Sequence, residues 1–127
     1  MPVLDRLRGV RVVADPASLD RATWGGRDVT VLRFAPDDAF GVAATGVDID
    51  DEHAIVEDEV GFAGAWLDAA EVEPHLEWSL PTGRPALAQG SIAGVPAKLW
   101  LPTHGKALLL TAAAYGDELG RRLGHGR

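Results

Sequence analysis

The chain has 127 residues, enough for one domain-sized core, and with 46% hydrophobic residues, 15 glycines and 8 prolines it reads as a folded, turn-rich protein. It has no cysteine, which excludes disulfides, thiol catalysis, iron–sulfur clusters and cysteine zinc sites. The formal net charge is -7 and unevenly spread: between Phe34 and Gly83 stand 13 of the 19 carboxylates and no lysine or arginine, a field that disfavours nucleic acid and anionic membrane and favours a basic protein surface or a cation.

The amino-terminal residues MPVLDRLRGVRVV carry charges at Asp5, Arg6, Arg8 and Arg11, which interrupt any apolar core of a secretory signal, and no stretch reaches the length of a membrane span. Cytoplasm is therefore the expected compartment. The many Ala, Gly, Arg and Asp residues beside a single lysine pair, Lys98 and Lys106, suggest a GC-rich bacterial genome. After the apolar run from Val10 to Ala14, Asp15 and Pro16 read as N-cap and first helical position, predicting a short helix to about Trp24 that Gly25 and Gly26 stop. The β-formers of DVTVLRF, the turn APDD with Pro36 at its second position, and the run AFGVAA predict a hairpin of strands 28–34 and 39–43.

Past the acidic segment 48–59, alternation puts Val60, Phe62 and Trp66 on one face of a strand. Gly61, Ala63, Ala65 and Leu67 form the other face, small enough for a helix to pack closely. Asp68 with Glu71 is a capping box, and Val72, Leu76 and Leu80 make a helical stripe that Pro74 should kink or break before Pro81, Thr82 and Gly83 end it. ALAQGSI, AKLWL and ALLLT, separated by the turns AGVP and PTHGK, predict an antiparallel three-stranded meander over 86–111 with Trp100 in its core. A last helix, from about Ala112 to Leu123, presents Tyr115, Leu119 and Leu123 on one face. Together these elements predict a single α+β domain over 1–127: an antiparallel sheet with helices on one face, a split βαβ, ferredoxin-like arrangement, and an amino-terminal hairpin at its edge.

Motifs for chemistry are sparse. Asp48, Asp50, Glu52 and Glu59 fall at calcium-loop spacing, but His53 stands where the loop's sharp turn needs glycine, so a solvated acidic loop is expected. His53, His75, His104 and His125 form none of the metal-binding spacings, and no metal or cofactor is predicted. Ser18, Ser79 and Ser91 lack a nucleophile-elbow context, and the glycines lack phosphate-loop spacing. Arg84, at a strand entrance after the base-free block, is expected to neutralise Glu73 or Glu77, or else to anchor a carboxylate ligand or a partner. Of the four tryptophans, Trp66 and Trp100 fit core strands, while Trp24 and Trp78 lie near element ends and are the candidates for an exposed contact patch, ordinary core packing being the first expectation for each.

VTVLRFAPDDAFGV resembles a strand-turn-strand of the gamma subunits of heterotetrameric sarcosine oxidases and, more distantly, of the folate-binding aminomethyltransferases. RPALAQGSIAGVPAKLWLPTHGKALLLTAAAYGDELGRRL is similar to the carboxyl-terminal part of those subunits in order and spacing, the likeness covering about residues 29–123. It implies an aminomethyltransferase-like half-fold and a small non-catalytic subunit packed against a flavin-bearing partner, with no cofactor and no catalytic residue of its own. The expected function is thus an accessory or interaction subunit of a flavin-dependent amine or N-methyl amino acid oxidase. Its expected contacts are Trp24, Trp78 and Arg84 together with the acidic residues Asp50, Asp51, Glu57 and Glu59. The alternative is a stand-alone domain binding a small folate-like or carboxylate ligand, which a pocket lined by Arg84, Gln89 and Tyr115 would favour; a small enzyme with a scattered site is a third reading.

Overall fold

The structure, a computed structural model, describes residues 3–125, with side chains through Gly124. The chain forms two compact units, one from Leu7–Val60 and one from the amino-terminal segment through Arg6 together with everything from Gly61 on.

In the Leu7–Val60 unit, β2 (Gly9–Val13), β3 (Thr23–Ala35), β4 (Asp38–Asp48) and β5 (Ile55–Glu59) make an antiparallel sheet in the order β3-β4-β2-β5. Strand β1 (Asp5–Arg6) belongs to the other unit. The predicted hairpin is present and longer than expected, because β-bulges at Gly25, Gly26 and Arg33 let its strands continue where regular pairing would stop. Helix α1 (Pro16–Asp20) starts as predicted, with the Ser18 amide donating to Asp15 Oδ2 at 3.3 Å, but ends four residues before Trp24, which is already in β3. Its apolar face, Leu19, packs with Val10, Val12, Ala14, Ala39 and Ala44.

The second unit is a five-stranded antiparallel sheet in the order β1-β6-β9-β8-β7, where β6 is Phe62–Leu67, β7 is Ala86–Ile92, β8 is Val95–Leu101 and β9 is Ala107–Ala112. The predicted meander is β7, β8 and β9. Helices α2 (Ala69–Val72) and α3 (Gly116–His125) cover one face, where Val72, Leu119 and Leu123 pack on Ala63, Leu67, Val95, Leu99 and Leu109. The small face of β6 thus does receive helices. The α+β class, with antiparallel sheets and short helices, is as expected.

Three details differ from expectation. The hairpin forms its own sheet rather than extending the meander, since β4 takes β2 as its second neighbour. The strands flanking α2 run in opposite senses with β8 and β9 between them, where a split βαβ unit would have them parallel. The capping box forms, with the Asp68 amide donating to Glu71 Oε2 at 2.9 Å, yet α2 stops at Val72. Pro74 has no amide hydrogen to continue the helix, and a 3-10 turn over Glu73–His75 replaces the two turns that Leu76 and Leu80 suggested.

Candidate functional site

Along β8 the side chains alternate: Val95, Ala97, Leu99 and Leu101 enter the core beneath the helices, while Pro96, Lys98 and Trp100 lie on the opposite face. The β8–β9 ladder runs from Trp100↔Leu108 to Lys98↔Leu110 and then ends. Pro96 is the cause. Its carbonyl faces β9, accepting the Thr111 hydroxyl at 2.7 Å, and in an antiparallel strand the amide hydrogen of that residue would point the same way, but proline has none. One side-chain bond replaces the backbone ladder.

Beside this break lies a cavity of about 410 Å³ lined by Phe62, Gln89, Gly90, Ser91, Pro96, Ala97, Lys98, Leu110, Thr111, Ala112 and Tyr115. Leu110 and Thr111 are buried at its floor, while Gln89, Ser91 and Tyr115 are exposed at its rim. Lys98 Nζ donates to Gln89 Oε1 at 2.7 Å from the directly opposed position on β7. Among the described residues, no carboxylate lines it.

The expected pocket residues Gln89 and Tyr115 are therefore brought together, and Arg84 is not with them. Arg84 is exposed and donates to the carbonyls of Pro81 and Gly83, its own loop, rather than pairing with Glu73 or Glu77. Phe62, Ser91, Pro96 and Lys98 went unrecognised in the sequence. A proline followed two residues later by lysine on one strand face was the available signal, legible only once the strand's neighbours are known.

Trp24, Trp78 and Trp100 are all half-buried, and Trp66 is the exposed one of the four. Trp24 lies over Gly41, where an added Cβ would sit 2.4 Å from its ring, and packs against the core of its unit. Trp78 covers Gly90 and donates from its indole nitrogen to the Ser91 carbonyl at 2.9 Å. Trp66, expected in the core, is 46% exposed, and Trp100 is half-buried. Both oppose Leu108 on the face away from the helices, so they form one cross-strand row with Leu87, the partner of Trp100.

The acidic segment is solvated, and it is a loop only in its first half, over 49–54. Asp51 turns the chain by accepting the amides of Asp15 and His53, both at 2.9 Å, which lowers its pKa below the usual aspartate value, and the Ser18 hydroxyl donates to the Asp50 carbonyl at 2.8 Å. The remainder forms β5, an end strand of its sheet. Glu59 pairs with Arg11 at 2.9 Å, and the same guanidinium holds Asp38 through two bonds of 2.6 and 2.8 Å, raising the Arg11 pKa, and lies over the Phe34 ring. Glu57 and the Asp50 side chain are exposed. Among the described residues, no three His, Asp or Glu side chains are grouped to hold a metal ion, and no helix is long and apolar enough to cross a membrane.

No protein-family model and no curated protein matches the sequence. Among solved structures, a chain of the heterotetrameric sarcosine oxidase from Corynebacterium sp. U-96, in complex with pyrrole 2-carboxylate, superposes with a TM-score of 0.71. The match covers 97% of this chain and 80% of that one at 13% identity. The likeness is one of fold.

Proposed function

We propose that this chain is a non-catalytic accessory subunit of a cytoplasmic oxidase complex acting on amines or N-methyl amino acids, docked against a flavin-bearing partner. The observation that carries the reading is the extent of the structural match: nearly the whole chain superposes on most of one chain of a heterotetrameric oxidase. The match extends over most of that chain and not over a minor part of it, which supports reading the present chain as the counterpart of one subunit. Trp66 adds support, since an exposed tryptophan beside a half-buried one is the kind of aromatic anchor that interface centres favour. Exposed Asp50 and Glu57 suit a basic partner surface.

Affinity purification at low salt from the native organism tests this. A larger protein carrying flavin should be recovered at constant stoichiometry. Recovery of the chain alone, or with partners that hold no flavin, would reject the reading.

A further inference from the structure

Strand β5 stands at one end of its sheet, paired with β2 over five residues in unbroken register and, among the described residues, with no strand on its other side. The other end strands are blunted: β3 by bulges, β1 by its two-residue length, and β7 by the Leu76↔Ile92 bridge and by Trp78, whose indole takes the Ser91 carbonyl. The backbone groups on the open edge can be identified. Beside β2, the Ala43 amide donates to the Arg8 carbonyl at 2.7 Å and the Ala14 amide to the Asp37 carbonyl at 3.0 Å, so the even-numbered residues of β2 direct their backbone groups at the β4 side. Gly9, Arg11 and Val13 therefore face Glu59, Glu57 and Ile55 on β5. Val56 and Asp58, between these, point their N–H and C=O groups outward. Ile55 is 56% and Val56 47% exposed, and the side chains of Glu57 and Asp58 are exposed as well.

We propose that β5 is a docking edge for an extended basic segment of a partner protein, which adds to the sheet as an antiparallel strand with lysine or arginine opposite Glu57 and Asp58 and β-branched residues opposite Ile55 and Val56. Backbone bonds at Val56 and Asp58 set the register, and cross-strand charge pairs choose the partner. A second copy of this chain is disfavoured, because the antiparallel register that uses the outward groups of both Val56 and Asp58 sets Glu57 against Glu57. The inference goes beyond the accessory-subunit reading by naming how a partner is recognised. It requires no flavin in that partner, so either conclusion can fail without the other.

The test titrates the full chain with the acetylated, amidated peptide TKRVVT and follows backbone amide shifts by NMR. It should bind with a Kd of roughly 1 mM at low salt and shift residues 55–59 most. TQQVVT should bind about tenfold weaker, for want of the charge pairs. TKRVVT methylated on the backbone nitrogens of its lysine and first valine, which face Asp58 and Val56, should also lose about tenfold while keeping its charge. Val56→Pro should weaken the parent peptide by a similar factor without moving the melting curve far, since the amide hydrogen it removes faces solvent, where sheet edges accept proline. An absence of shifts up to about 20 mM peptide, shifts centred elsewhere, equal binding of the methylated peptide, undiminished binding by the folded Val56→Pro variant, or a dimer of the chain that this variant abolishes would overturn the proposal.

Discussion

Leu99 and Trp100 are adjacent on β8 but face opposite ways, the first fully buried beneath the helices and the second half-buried on the other side. Leu99→Ala leaves a cavity among packed neighbours and should cost about 3–4 kcal/mol, whereas Trp100→Ala loses only part of a side chain's burial and should cost about 2 kcal/mol. Trp66→Ala should stay within about 1 kcal/mol. Urea denaturation of the three variants gives the order directly, and a Trp66 cost as large as that of Leu99 would mean that its ring is packed. Asp51 offers a pH test at the same scale. Its folded pKa is depressed by two amide donors, so its contribution is present above the ordinary aspartate pKa and is lost as pH falls through the lower folded value. Asp51→Ala should therefore melt earlier than wild type at pH 7, with the difference shrinking as both are acidified below the usual aspartate range. A difference that persists at the acid end would assign the effect to something other than the carboxylate.

At the scale of elements, Arg11 ties three strands together. It stands on β2, and its guanidinium reaches diagonally to Asp38 on β4 and Glu59 on β5. Replacing it with methionine keeps the stem but leaves two carboxylates facing each other across β2, and should cost about 2 kcal/mol by chemical denaturation, with earlier amide exchange in β5 than in β3. A second element-level test is Thr111→Val, which removes the hydroxyl that stands in for the missing Pro96 amide and should cost about 1 kcal/mol. If stability is unchanged, the β8–β9 break is held by packing alone.

For the whole molecule, charge is the feature with consequences at a distance. Asp51 and Glu59 hold structural bonds, so a neutralising variant that respects the fold is Asp50→Asn with Glu57→Gln, both exposed. With the partner recovered by purification, this double change should slow association without altering the melting curve. Raising salt should narrow the gap between variant and wild type, because the Debye length falls below roughly 8 Å above physiological ionic strength. An on-rate indifferent to both would leave the acidic segment with a role in solubility and move the interface to the Trp66 row.

Element identity was legible in the sequence wherever local chemistry decides it. Asp15-Pro16 starts a helix, Asp68 and Glu71 box another, Pro36-Asp37 turns a hairpin, and AGVP and PTHGK turn a meander, because capping and turn geometry depend on residues within a few positions of one another. The same locality made Pro74 readable as a break. What residues alone left open is which face of each strand meets the helices, since alternation defines two faces but not their neighbours. Position within elements does not fix how the tryptophans pack: glycines at 41 and 90, distant in sequence from Trp24 and Trp78, provide the space those rings occupy, while Trp66, on an inner strand, is exposed. The cavity likewise needed the tertiary structure, because Pro96 lines it where its carbonyl faces β9 and Lys98 lines it where it opposes Gln89, relations set by strand pairing across the sheet.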